Sequence, residues 1–261
     1  MGKAFGDERA RNVEFASWDS YWGFEAAVRR GRRYVWSREV QKFLEAVRRT
    51  AKKREFTIAK NTSFFRAQVG WARDFEDQDG GSVLGPMAFD AERMKPDANL
   101  IPDGRVNTAG IPVLYLAIHR ETAIAEVRPW IGTKVSVSQF RTTRKLKALD
   151  LTREYGKFRI AGILAGDAAD AREKRKSVWN RIDNAFSRPV NGTDDPAAYV
   201  PTQILAEVFR DEGYEAIVYR SRFGKKGYNV VIFDPDDARA GDGKPYEVKK
   251  IKIVAECAIA H

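Results

Sequence analysis

The sequence predicts an α+β fold, with a helical N-terminal extension over residues 1–60 and a sheet-based body over 61–261. Apolar residues at helical spacing, Val40, Phe43, Leu44 and Val47, mark the extension. Short apolar or alternating runs at 113–118, 145–151, 215–219 and 229–233 mark strands of the body. A stretch over 201–213 with an apolar face of Ile204, Leu205, Val208 and Phe209 places one more helix among those strands.

Each element follows from local chemistry. Ser37 is suited to cap a helix from Arg38, because its hydroxyl can accept from a free amide of the first turn. Trp18, Tyr21, Trp22 and Phe24 precede it and need a surface to pack on, so the extension is expected to dock on the body. From Phe64-Phe65-Arg66 to Asn107 the chain is rich in Gly, Asp and Pro and is expected to be irregular. Val113–Ile118, between Pro112 and the polar His119-Arg120-Glu121, has the length of a buried strand. A short helix is expected over 122–128, with Thr122 as N-cap and Pro129 as stop. Residues 152–198 are charged and poorly periodic, and are read as an insertion of helix or loop. Pro201 opens the next helix and Gly213 closes it. Glycines over 223–227 suit a turn between neighbouring strands, and the alternating 247–254, rich in lysine, reads as an edge strand.

Composition narrows the function classes. With 43% hydrophobic and 31% charged residues the chain reads as globular. No run approaches the roughly 18 apolar residues of a membrane helix, so no membrane partner is expected. The first residues lack the apolar core of a secretory signal, and a cytoplasmic location is expected by default. One cysteine, Cys257, and two histidines, His119 and His261, nearly exclude a Cys/His zinc site, and no metal is expected. Chemistry is left to carboxylates, arginines, hydroxyls and aromatics. The net charge is +10, and residues 1–60, with fifteen Lys+Arg against eight Asp+Glu, hold +7 of it. A solvated basic face is favoured over a nucleic-acid patch.

One constellation points to a family. Gly104-Arg105-Val106-Asn107, then Gly110-Ile111-Pro112, then Leu114-Tyr115-Leu116-Ala117, continues into Thr122-Ala123 and Glu126-Val127-Arg128-Pro129. Phe65-Arg66 lies upstream; Tyr199-Val200-Pro201-Thr202-Gln203, Tyr219-Arg220-Ser221 and Asn229–Pro235 lie downstream. In this order, over about 60–236, the pieces resemble the RES-domain family, named for an arginine, a glutamate and a serine. The resemblance implies an ADP-ribosyltransferase-like fold and assigns the three as Arg66 (or Arg105), Glu126 and Ser221. It implies a toxin of a toxin–antitoxin pair that consumes NAD, with a small helical Xre-type antitoxin as partner. Val106 stands where the family usually has an aromatic, and Arg220 where it usually has a proline; Arg220 is read as an added phosphate contact.

Chemistry gives these residues roles independently. Breaking the nicotinamide–ribose bond creates an oxocarbenium-like cation, while nicotinamide leaves neutral and needs no acid. A carboxylate beside the ribose, Glu126, stabilises that cation. Arginine forks, Arg66 and Arg105, suit the pyrophosphate. Tyr115 is a stacking residue or a core tyrosine with a bonded hydroxyl, and Ser221 a ribose or carboxamide contact or a turn serine. Asn107 is counted with the NAD-binding turn, and Arg105 either binds or anchors that turn. The expected activity is NAD cleavage with water or phosphate as acceptor. The alternatives are transfer of ADP-ribose to a protein, and a basic nucleic-acid-binding module with a degenerate cleft. The extension is open to three roles: occluding the cleft, homo-oligomer formation or partner binding.

Overall fold

A computed structural model describes residues 14–73, 76–77, 83–153, 170–188, 196–223 and 227–252. The helices are α1 (Ser20–Arg29), α2 (Arg38–Ala51), α3 (Arg120–Glu126), α4 (Ala171–Ser187) and α5 (Val200–Asp211). The strands are β1 (Glu55–Ile58), β2 (Ser63–Val69), β3 (Glu76–Asp77), β4 (Val83–Leu84), β5 (Leu114–Ala117), β6 (Lys134–Thr142), β7 (Leu146–Asp150), β8 (Ala216–Arg220), β9 (Tyr228–Ile232) and β10 (Ala238–Glu247). Eight strands form one sheet in the order β1-β7-β8-β9-β5-β2-β6-β10, and β3 pairs with β4 apart from it. Within the large sheet only β7 and β8 run parallel. A parallel pair needs a long crossover, and here the crossover carries α4 and α5.

The helical side of the sheet holds most of the core. Ser37 caps α2 by accepting from the Val40 amide at 3.4 Å. Val40, Phe43, Leu44 and Val47 are all buried, as their spacing requires. Tyr21 and Phe24 are buried too, and Phe24 stacks on Phe43 with ring centroids 4.6 Å apart. Trp22 is instead half-exposed beneath the Arg181 guanidinium, 3.6 Å from its ring centroid. These helices share one cluster with α4, α5 and the inward residues Leu149, Ile217, Tyr219 and Val231. The alternate residues Ala148, Ala216, Val218 and Val230 face the opposite side, with Phe64, Leu114, Leu116 and Phe140.

The structure corrects several boundaries. Residues 152–198, read as an insertion of helix or loop, hold in their described part the helix α4, which buries Val178, Trp179, Ile182 and Phe186. Residues 154–169 and 189–195 of that stretch lie outside the described residues, as do the loop residues 224–226. The expected irregular stretch after Phe64 begins with a full strand, β2. Helix α3 starts at Arg120 with His119 as N-cap, and Thr122 is buried inside it. The last sheet strand is 238–247, ahead of the expected 247–254, and it forms the edge beside β6. Gly241, Asp242, Gly243 and Pro245 lie within it, and a register irregularity lies between Ala240 and Gly243. Residues 253 and 254, and with them Cys257 and His261, are outside the described residues. Helix α5 fits its reading, with Pro201 in the first turn and Gly213 at φ +76 just past the end. No helix among the described residues is long and apolar enough to cross a membrane.

Candidate functional site

The cleft opens where the sheet is weakest. β2 pairs with β6 from Ser63 to Val69, but with β5 only through Phe65 and Ala117. Into this splay face Phe65, Arg66 and Ala67 from β2 and Tyr115, Leu116 and Ala117 from β5. Glu126 and Val127 close it from α3, Tyr219 and Asn229 from β8 and β9, and Gly104, Arg105 and Tyr199 from loops. The cavity is about 320 Å³. Small residues let α3 approach: Ala123 packs with Ala67 and Ala117 under the helix, which brings Glu126 to the cleft wall.

Glu126 is held by one oxygen. Ser221 Oγ and Asn229 Nδ2 each donate to Oε1 at 2.6 Å. Among the described residues nothing donates to Oε2, so one carboxylate oxygen is fixed and the other is available to the cleft. Ser221 is itself fixed, since its hydroxyl accepts from the Phe223 amide at 3.0 Å and its amide donates to Gly227 O at 2.8 Å. Gly227 has to be a glycine: a Cβ there would lie 2.9 Å from Thr122 Cγ2 and from Phe223 O. The bare glycine lets the Ser221 loop approach Thr122 of α3.

The two arginines differ in their anchoring. Arg66 donates to Met94 O at 2.6 Å, and no carboxylate pairs with it among the described residues. Burial, and then the charge of Arg93, hold its guanidinium below the usual arginine value, at about 10. It is still a cation at neutral pH, so the cleft contains a desolvated positive charge that no described carboxylate neutralises. Arg105 donates to Phe186 O, at the end of α4, at 3.1 Å. It also faces Tyr219, whose hydroxyl is pushed up to about 12, by burial first, with the Arg105 charge opposing.

Tyr115 and Asn107 build the turn beneath Arg105. The Tyr115 hydroxyl donates to Asn107 Oδ1 at 2.9 Å and accepts from the Val106 amide at 3.0 Å. Burial raises the Tyr115 hydroxyl above the ordinary tyrosine range. The Asn107 amide donates to Pro102 O and Thr108 O, both at 3.0 Å, so its polar atoms are spent within the turn and not in the cleft. Gln203 clamps the same turn by donating to Gly104 O at 3.0 Å and Asn107 O at 2.9 Å. A Cβ on Gly104 would lie 2.5 Å from Asn107 Oδ1 and 2.6 Å from Tyr115 Oη, which explains the glycine. Val106, in the place of the family's aromatic, is buried in the core.

Thus Arg66, Arg105, Tyr115, Glu126 and Ser221 gather at or beside one cleft, while Asn107 supports it from outside. Arg220, read as a phosphate contact, is committed elsewhere: it donates to the buried Asp183 at 2.5 Å and to Asn184 at 2.7 Å. His119 is exposed. Sequence reasoning gave no role to Asn229, Tyr219, Tyr199 or Gln203. Asn229 had one signal, an amide at the head of the apolar Val230-Val231-Ile232, where a buried polar group demands a partner. Among the described residues no group of three or more His, Cys, Asp or Glu gathers to hold a metal ion.

A family model agrees with the motif reading. Described as the RES domain, it matches residues 86–249, a span that includes Arg105, Glu126 and Ser221 and begins after Arg66. The chain is similar to a chain in the crystal structure of the M. tuberculosis MbcT–MbcA toxin–antitoxin complex. The two are 16% identical, with a TM-score of 0.43 over 77% of this chain and 92% of that one. A search of curated proteins finds no match. On its motifs and the span matched, this chain belongs to the RES-domain family.

Proposed function

We propose that the cleft binds NAD and cleaves its nicotinamide–ribose bond, with water or phosphate capturing the ribosyl cation. The observation that carries this reading is the Glu126 carboxylate, fixed through Oε1 by Ser221 and Asn229 while Oε2 is available to the cleft. A pre-oriented carboxylate stabilises the cation that develops at the ribose without reorganising as it forms. The C–N bonding pair leaves with nicotinamide, whose ring nitrogen becomes neutral, so no proton donor is required at that step. The oxygen of water or phosphate supplies the new bond, and Oε2 is the group suited to orient it. Arg66 and Arg105 supply cations for the pyrophosphate, and the desolvated Arg66 gains most from an anion. Tyr115 and Asn107 act through the turn that carries Arg105.

A second reading, transfer of ADP-ribose to a protein, draws on Trp130 and Ile131, 79% and 68% exposed a few residues past Glu126, where a protein acceptor would meet apolar surface. The antitoxin partner that the family resemblance implies belongs to the same proposal. The test is incubation of the full chain with NAD, with and without phosphate, with the products resolved. Loss accelerated by phosphate identifies phosphorolysis; equal release of nicotinamide and ADP-ribose identifies hydrolysis. Nicotinamide release without matching free ADP-ribose or its phosphate adduct, with label passing from NAD to a protein, would replace this reading by the second.

A further inference from the structure

A second cavity, of about 230 Å³, lies away from the cleft and is lined, among the described residues, by Thr50, Lys53, Arg54, Arg153, Arg172, Arg175 and Trp179. None of these is a carboxylate. The cations come from separate parts of the chain: the turn after α2, the residues after β7, and the first turns of α4. Like charges gathered this closely repel, and folded surfaces ordinarily intersperse the two signs. Arg172 and Arg175 also sit near the N-terminal end of α4, where the helix dipole disfavours cations.

The floor and the rim have different roles. Arg54 is 5% exposed and donates to the carbonyls of Asp150, Leu151 and Arg153. Its guanidinium lies 4.6 Å from the ring centroid of Trp179, whose indole N–H donates to Thr50 Oγ1 at 3.0 Å. This pair forms a rigid base. On the rim, Arg175 meets Glu14 at 2.5 Å, and Arg153 donates to the Lys53 carbonyl. Among the described residues no carboxylate pairs with Lys53, Arg153 or Arg172.

We propose that this cavity is a binding site for a small polyphosphorylated anion, either the phosphate chain of a nucleotide or free polyphosphate. Several cations around one concavity match a multivalent anion, whereas a single carboxylate would neutralise only part of them. Arginine forks and a lysine are the side chains that hold phosphoryl oxygens. Arg54 covers the Trp179 ring and leaves no free aromatic face in the cavity for a base. The site therefore reads phosphates, and α4 links it to the cleft: the same helix holds Arg220 through Asp183 and Arg105 through the Phe186 carbonyl. The proposal does not depend on NAD being the substrate of the cleft.

The test is calorimetric titration of the full chain at low ionic strength with inorganic triphosphate, orthophosphate, ATP and adenosine. Triphosphate and ATP are expected to bind, orthophosphate to bind at least about tenfold more weakly, and adenosine not at all. ATP equal to triphosphate would support the site with the phosphate chain of a nucleotide as its source; ATP about tenfold or more weaker than triphosphate would support it with free polyphosphate as the source. The paired substitution Arg153→Ala with Arg172→Ala is expected to weaken triphosphate about tenfold or more while NAD turnover stays unchanged. Lys53→Ala, at an exposed position, is the second variant should the first fail to fold. Arg66→Ala is expected to leave triphosphate binding intact. Unchanged affinity in the variants of this cavity, or loss in Arg66→Ala, would overturn the assignment. So would tighter binding of a single-stranded oligonucleotide than of triphosphate, lost in the same variants, which would make this a nucleic-acid face.

Discussion

Arg66 and Arg220 are both arginines drawn from the solvent into one sheet, yet their surroundings are opposite. Arg220, at the end of β8, meets a carboxylate with no exposed surface, Asp183, and the amide of Asn184. Arg66, on β2, meets one backbone carbonyl and is further disfavoured by Arg93. A buried cation with a matched carboxylate is a structural element, and its removal strands the partner. A half-buried cation without one costs the free protein and is stabilised when an anion arrives. The same residue type thus serves the scaffold in one place and, in the function proposed here, the ligand in the other.

Substitutions can break or sharpen this contrast. The largest effect is expected from Arg220→Ala, which leaves Asp183 buried and unpaired and should lower unfolding stability by about 3–5 kcal/mol in urea titrations. Next is Glu126→Ala, for which NAD turnover should fall about 100-fold or more while the unfolding midpoint stays near the wild-type value. Arg66→Ala comes third: a loss of about 1.5–3 kcal/mol in NAD binding, read as weaker NAD protection against heat, with less damage to the free protein than Arg220→Ala causes. The smallest is Ser221→Ala, which removes one of two donors to Oε1 and should cost turnover about tenfold, because Asn229 still holds the carboxylate.

Where local pattern and tertiary need coincide, the sequence is readable. The stripe of Val40, Phe43, Leu44 and Val47 behind Ser37 became α2, and Val113–Ile118 contains β5. β6 was hidden because its inward positions include the fully buried Ser136 and Ser138. Ser136 is accommodated by bonds to Gly70 O and the Phe89 amide, which no alternation of apolar residues announces. β10 was displaced because its glycines and proline mimic a loop. Gly243 is needed there, since a Cβ would lie 2.7 Å from Phe89 O. In the cleft, Glu126 stood out as a carboxylate on an apolar helix. Its partner Asn229 did not, because the two are brought together only by the hairpin of β8 and β9 against α3. Tyr115 was open between a stacking residue and a core tyrosine with a bonded hydroxyl, and Asn107 was counted with the NAD-binding turn, because a motif does not distinguish a side chain that touches a ligand from one that shapes the turn presenting it.

The most direct test of the central claim is the release of nicotinamide from NAD by the full chain and by Glu126→Ala, with folding of both checked by circular dichroism. Release by the wild-type chain that falls about 100-fold or more in the folded variant is the expected result. Equal release by a folded Glu126→Ala protein would contradict the claim that this carboxylate stabilises the breaking bond.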